Sequence, residues 1–220
     1  MFFLIFSAEG EVFAKKKEHL KESGKTTVQP GAYIILGSSS IIKWEEKEEW
    51  RVQDVFSTYP IAVNPFPSEM NTMTMAGILK GVNTVIAAKP AKIFIYAGSH
   101  DINRKKRKAE QVFEDISSFS GQVAEKLPEC RVYWISCKPS RKKWPVKEDK
   151  ALNDLVRSKT QKDGNLIYID IWTPLMDGKK YPEQMPDKDL FSDDNHFSAK
   201  GYRIWNNTIR PYIDVTPEIK

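Results

Sequence analysis

Several features that would narrow the reading early are scarce in this chain of 220 residues. It has two cysteines, Cys130 and Cys137, too few for a disulfide framework. They stand at the two ends of an apolar run expected to be a strand. An extended segment of that length holds their Cα atoms beyond disulfide reach, so both are read as free thiols. Cysteine usage therefore leaves the compartment open. No apolar run is long enough to cross a bilayer, and the most apolar, residues 1–6, is far too short. No basic residue precedes that run and no convincing small-residue cleavage site follows, which argues against a signal peptide. It is expected to pack as an N-terminal strand or to anchor on a neighbour. Zinc-ligand spacings, internal repeats and low-complexity tracts are absent from the sequence.

Charge excludes less. Lysine and arginine outnumber aspartate and glutamate by 34 to 29, giving a net charge of +5. The basic residues fall in short runs at 15–17, 104–108, 141–143 and 179–180. Such runs are usually solvated helix faces or loops; the sharper alternative is an affinity for phosphate, acidic lipid or an acidic protein partner. They lack aromatic interleaving and any recognisable nucleic-acid module, so nucleic acid is set aside as a partner. With 40% hydrophobic and 29% charged residues the chain reads as a soluble globular protein. An intracellular or organellar setting is the expectation.

Short, nearly continuous apolar runs at 32–36, 61–63, 92–96, 132–136 and 166–171 have the character of strands covered on both faces. Helical patterns alternate with them. Val112, Ile116, Phe119, Val123 and Leu127 make one buried stripe. Further helices are expected over 73–88 and over 147–159, where Leu152, Leu155 and Val156 turn inward. Pro90 and Pro128 close the helices that precede the third and fourth strands. This alternation predicts a three-layer α/β/α domain with a central parallel sheet of about five strands. The domain is expected to span 31–215. An extension over 1–30 carries a basic helix at 11–23, and a polar tail runs from 216 to 220.

In such sheets, reactive groups gather at the carboxyl ends of the strands. The first strand runs into Gly37-Ser38-Ser39-Ser40-Ile41, where a glycine that permits a sharp turn can hold a serine exposed. The third runs into Gly98-Ser99-His100-Asp101, which places a polar donor at the same edge. Near the C-terminus, Asp193 stands three residues before His196, one of only three histidines. A carboxylate so placed can hold the imidazole Nδ1–H and leave the other nitrogen to take a proton from a serine. Read separately, each of these is more often a helix cap or a plain turn.

Read together, they resemble the SGNH/GDSL hydrolases, in particular the branch whose first block is Gly-Ser-Ser-Ser-Ile. The resemblance runs from Ala32 to Ile213. It includes Gly37 to Ile41 with Trp44, Lys89-Pro90 leading into Ile95 to Gly98, Ile135 to Ser140 with Trp144, Tyr168 to Asp170 with Thr173-Pro174, and Asp193 to Trp205. It implies the flavodoxin-like fold of that family, with Ser39 as nucleophile, His196 as base and Asp193 as its orienting acid. It also implies acyl transfer from a small-molecule ester to water without a metal or organic cofactor.

The family's oxyanion hole takes three donors, and here two of them are changed. The serine N–H is kept at Ser39. The expected glycine pair of the second block is replaced by Asn64-Pro65-Phe66-Pro67-Ser68, in which both prolines lack an N–H and Ser68 is the candidate donor. His100 stands where the family has an asparagine. Loss of one such donor costs about 10²–10³-fold in kcat. Two hypotheses follow: an esterase for small acyl or acetyl groups with an adapted hole, or a catalytically impaired subunit retaining the fold for binding or assembly. In the second, the basic N-terminal extension would meet protein partners. A carbohydrate- or lipid-binding module using the old cleft is a third.

Overall fold

The computed structural model describes residues 28–47, 50–67, 70–141, 146–160 and 164–213. The expected basic helix at 11–23, the apolar run at 1–6, the tail from 216 and Ser68 all lie outside those residues. The strands are β1 (Tyr33–Gly37), β2 (Ile61–Val63), β3 (Lys92–Tyr96), β4 (Arg131–Ile135) and β5 (Leu166–Ile169). The helices are α1 (Ser39–Glu45), α2 (Val52–Val55), α3 (Met75–Lys80), α4 (Val82–Ala87) and α5 (Ser99–Asn103). They continue with α6 (Ala109–Lys126), α7 (Val146–Thr160), α8 (Trp172–Met176) and α9 (Ala199–Ile209).

All four strand pairings are parallel, in the order β2-β1-β3-β4-β5. The α/β/α architecture read from the sequence is the one observed, and the strand bounds agree within two residues. Alternate residues of each strand feed opposite cores, as the pleat demands. Ile34, Leu36, Ile93, Ile95, Val132 and Trp134 face one core, which includes residues of α3, α4, α6 and α7. Tyr33, Ile35, Phe94, Tyr96, Tyr133 and Ile135 face the other, with residues of α1, α2, α8 and α9. The α6 stripe is buried at Val112, Ile116, Phe119 and Val123. Leu127 falls just past the helix end and is half-buried.

One expected helix is two. The segment at 73–88 breaks at Gly81, which separates α3 from α4. A β-carbon there would stand 2.6 Å from the Met70 sulfur, so the missing side chain makes room for Met70 at the break. Cys130 and Cys137 are both buried free thiols.

The second core is aromatic. Trp205 of α9 packs edge-on against Trp44, Tyr96 and Phe197, with ring centroids 5.7, 4.9 and 5.5 Å apart. Because these rings hold α1, β3 and α9 together, truncation at Trp205 is expected to cost about 3–5 kcal/mol. Urea unfolding of Trp205→Ala should show that loss as a lowered midpoint with an unchanged slope.

Candidate active site

Ser39 opens α1 immediately after β1. Ser38, the N-cap, is extended, and its N–H donates to Tyr96 O at 3.2 Å. Gly37 does not have the left-handed φ that would make glycine obligatory for a turn. Its requirement is space: a β-carbon would meet Tyr96 O and Ile41 Cγ1 at 2.6 Å each. The glycine therefore lets β1 approach β3, where the sequence reading had it making a sharp turn. Gly98 is the left-handed one, with φ 116°, and a β-carbon there would also press on Leu152.

The loop before α9 brings in the other two predicted residues. Ser39 Oγ lies 3.1 Å from His196 Nε2, and His196 Nδ1 lies 2.7 Å from Asp193 Oδ2. Asp193 Oδ1 accepts the backbone N–H groups of Asn195 and His196 at 2.7 and 2.8 Å. Partial burial alone would raise the Asp193 carboxyl. The hydrogen bonds from the His196 ring and those two N–H groups outweigh it, and the carboxyl is held well below its ordinary range. An ionised carboxylate only accepts, so Nδ1 carries a proton and a neutral His196 turns a lone pair toward the Ser39 hydroxyl. The arrangement can take a proton from that hydroxyl.

Among the described residues, the backbone N–H groups of Ser39 and Ser40 have no acceptor. They are orphans of the first helical turn, available to an oxygen in the cleft. His100, by contrast, is committed. Its ring is buried and its Nδ1 lies 3.1 Å from Met73 O. A carbonyl only accepts, so Nδ1 holds a proton, and Nε2 holds one only in the imidazolium. Burial lowers its pKa below the usual histidine value, aided by Arg104 and Lys138, with the Met73 carbonyl and Asp101 opposing. Neutral His100 thus presents an acceptor on Nε2.

A small cavity of about 20 Å³, room for about one or two water molecules, is lined by Ser39, Ser40, Met73, His100, Lys138 and Asn195 among others. Phe66 does not fill it; that ring packs against the first core. Among the described residues no cluster of three or more His, Cys, Asp or Glu side chains is placed to hold a metal ion.

Three contributors were not legible as such. Asn64 clasps Gly37 through both halves of its amide, accepting from Gly37 N at 3.0 Å and donating to Gly37 O at 3.1 Å. Its own left-handed φ of 41° is one that asparagine tolerates. Lys138 reaches the cavity from the end of β4. Asp101, on the cleft edge in sequence, is wholly buried as a cap. Its carboxylate accepts from Met75 N and Ala76 N of α3 and pairs with Arg107. Asparagine at 64 was the available signal, standing directly after β2 and before Pro65.

Removing the Asn64 amide leaves both polar groups of Gly37 unmatched in a part-buried setting. Asn64→Ala is expected to lower stability by about 1–3 kcal/mol in urea unfolding. A change below about 0.5 kcal/mol would mean that the clasp does not hold the serine turn.

The profile of the GDSL-like Lipase/Acylhydrolase family matches residues 59–204, a range that begins after Ser39. Curated proteins offer no match to the sequence. Solved structures do. A GDSL-like lipase from Bacteroides thetaiotaomicron superposes with a TM-score of 0.68 at 17% identity, covering 92% of this chain and 98% of its own. A member of the lipolytic G-D-S-L family from Veillonella parvula gives 0.61 at 14%, over 81% and 95% of the two chains. A carbohydrate esterase of family 3 from Talaromyces cellulolyticus gives 0.60 at 16%, over 83% and 96%. Identities so low carry the fold and nothing finer. The profile, spanning more than half of the chain, carries the ancestry: this protein belongs to the GDSL-like lipase/acylhydrolase family, the SGNH hydrolases.

Proposed function

We propose that the protein is a serine ester hydrolase for small acyl or acetyl esters, with Ser39 as nucleophile, His196 as general base and Asp193 as its orienting carboxylate. The observation that carries this reading is the unbroken hydrogen-bonded line Ser39–His196–Asp193 at 3.1 and 2.7 Å. Ser39 Oγ attacks the ester carbonyl while its proton passes to His196 Nε2, and the carbonyl oxygen becomes an oxyanion. As the intermediate collapses, His196 returns the proton to the departing alcohol, leaving an acyl-Ser39. Water then attacks the acyl group with His196 again as base, and the acid and free Ser39 are released. The free N–H of Ser39 supports its role as an oxyanion donor. The smallness of the cavity favours a short acyl group.

One observation favours the competing reading, a catalytically impaired subunit. The Met73 carbonyl fixes the His100 tautomer so that the neutral ring turns a lone pair where the family offers an amide N–H. Pro65 and Pro67 add no donors. In the esterase reading, therefore, His100 contributes to the hole only as the imidazolium, with Ser68 as the candidate for the remaining N–H.

Two measurements decide. Wild-type protein should be labelled by a fluorophosphonate probe and should turn over p-nitrophenyl acetate, while Ser39→Ala and His196→Ala fall to background. A folded wild type inert in both assays sinks the esterase reading. The second concerns His100. An asparagine restores a donor, so His100→Asn should raise kcat by up to about 10²-fold near pH 8. Because the His100 pKa is lowered, the native imidazolium is scarce at that pH and grows as pH falls. The ratio of variant to wild-type rate should thus shrink toward about pH 5.5. A ratio at or below one near pH 8 would show that neutral His100 does not impair the hole.

A further inference from the structure

Among the described residues two lysines are buried, and they are buried differently. Lys92, 5% exposed, sits at the start of β3, on the edge of the sheet away from the cleft. Its ammonium donates to the carbonyls of Tyr212 and Ile213 at 3.0 and 2.6 Å and lies over the rings of Tyr33 and Tyr133. It ties the segment that follows α9 to the sheet. Lys138, 8% exposed, stands just past β4 and lines the catalytic cleft. Its ammonium donates to two neutral hydroxyls, Ser40 Oγ at 3.2 Å and Tyr96 Oη at 3.3 Å. The rings of Tyr96 and Phe197 lie 5.6 and 5.5 Å from it.

No carboxylate among the described residues comes within ion-pair distance of Lys138. Asp149 and Asp193 act on it only through longer-range attraction. Burial pulls its pKa down to about 8, which leaves the group mostly charged at neutral pH. An ammonium has three N–H donors, and here two go to hydroxyls at the long end of the hydrogen-bond range. Buried charges are normally paired, because desolvation is costly without an opposite charge. Lys92 meets that need with backbone carbonyls, whereas Lys138 meets it only in part and faces a cavity beside Ser39.

We propose that Lys138 is the anchor of an anion subsite in the cleft, selecting esters that carry a carboxylate or phosphate group close to the scissile bond. In speaking of a substrate this rests on the esterase reading, but the subsite itself is defined by binding. The anion would take the third N–H and supply the missing charge, leaving the contacts to Ser40 and Tyr96 in place. A neutral ester would leave the ammonium as it stands in the free protein. The preference is then a difference between a buried cation with a counter-ion and the same cation without one.

Binding is measured without turnover, so its failure is separable from that of the esterase reading. Protein carrying ¹³C-labelled lysine is titrated with pH by NMR, Lys138 being assigned by the resonance lost in Lys138→Met. The titration is repeated with succinate, with inorganic phosphate, and with sodium chloride at matched ionic strength. An anion that binds only the charged form, present at about ten times its Kd, should raise the Lys138 midpoint by about one pH unit. Lys138→Met should weaken binding of that anion by at least about tenfold, and Lys138→Arg should retain part of it. A shift with succinate alone or with phosphate alone supports the subsite and identifies its group. No shift with either, at concentrations up to about 0.1 M, overturns it, as does unchanged affinity in a folded Lys138→Met. Should that variant fail to fold, the wild-type titration still decides, with Lys138 identified by the resonance lost in Lys138→Arg. A shift in protein inert toward esters and fluorophosphonate would keep the subsite and remove the esterase.

Discussion

The close approach of β1 to β3 at their carboxyl ends governs everything built above the sheet. Gly37 pairs with Tyr96 across that contact, and any β-carbon at Gly37 would strike the Tyr96 carbonyl. Order within the sheet reverses here, since β2 lies on one side of β1 and β3 to β5 on the other. A doubly wound sheet opens a crevice at such a point, where the segments leaving two adjacent strands turn to opposite faces. Ser39 leaves β1 toward the aromatic core, and α5 with His100 leaves β3. The crevice is therefore a consequence of topology; Ser39, His100 and Lys138 enter it from segments that follow strands, and His196 from the loop before α9. Asn64 does the same from β2, and its hold on Gly37 ties three strand ends to one turn.

Burial then sets the charges of this crevice. Asp149 of α7 is buried, and desolvation pushes its carboxyl up to about 6 against hydrogen bonds from Asn103, Ser99 and Cys137. Lys138 is pulled down to about 8 by the same cause, and the Cys137 thiol is pushed well up. Asp193, with its side chain about half exposed, goes the other way because hydrogen bonds dominate there. The outer part of the cleft thus keeps a firmly ionised carboxylate while the floor holds groups whose charge is only weakly favoured.

The fold was legible because strand burial is written in composition. Runs such as Lys92-Ile-Phe-Ile-Tyr leave no polar face, and only a parallel sheet covered on both sides accepts them. That Ser39, His196 and Asp193 meet was legible because Ser39 follows a strand end and because the blocks come in the family's order. What escaped depends on partners distant in sequence. The break at Gly81 answers to Met70, and the burial of Asp101 answers to the N–H groups of α3. The state of His100 answers to a backbone carbonyl at Met73, which any residue there would offer. Lys138 sat within a recognised block, yet nothing in its neighbours in sequence distinguishes a buried lysine from a solvated one.

The two cleft histidines carry the chemical argument furthest. Each donates from Nδ1, His196 to a carboxylate and His100 to a carbonyl, so in the neutral state both turn Nε2 lone pairs outward. The acceptors differ in kind. A carboxylate stabilises the imidazolium that forms when a proton is taken, whereas a carbonyl offers only a dipole. Around His100, burial and the cations Arg104 and Lys138 oppose a further positive charge, with the Met73 carbonyl and Asp101 offsetting them. In the proposed reaction, the ring beside Ser39 is thus equipped to gain a proton and the ring at the oxyanion position is discouraged from holding one. Charge developing on a substrate oxygen would itself favour His100 protonation. In that proposal the hole would be assembled at the moment it is needed, at a cost that a fixed amide would not incur.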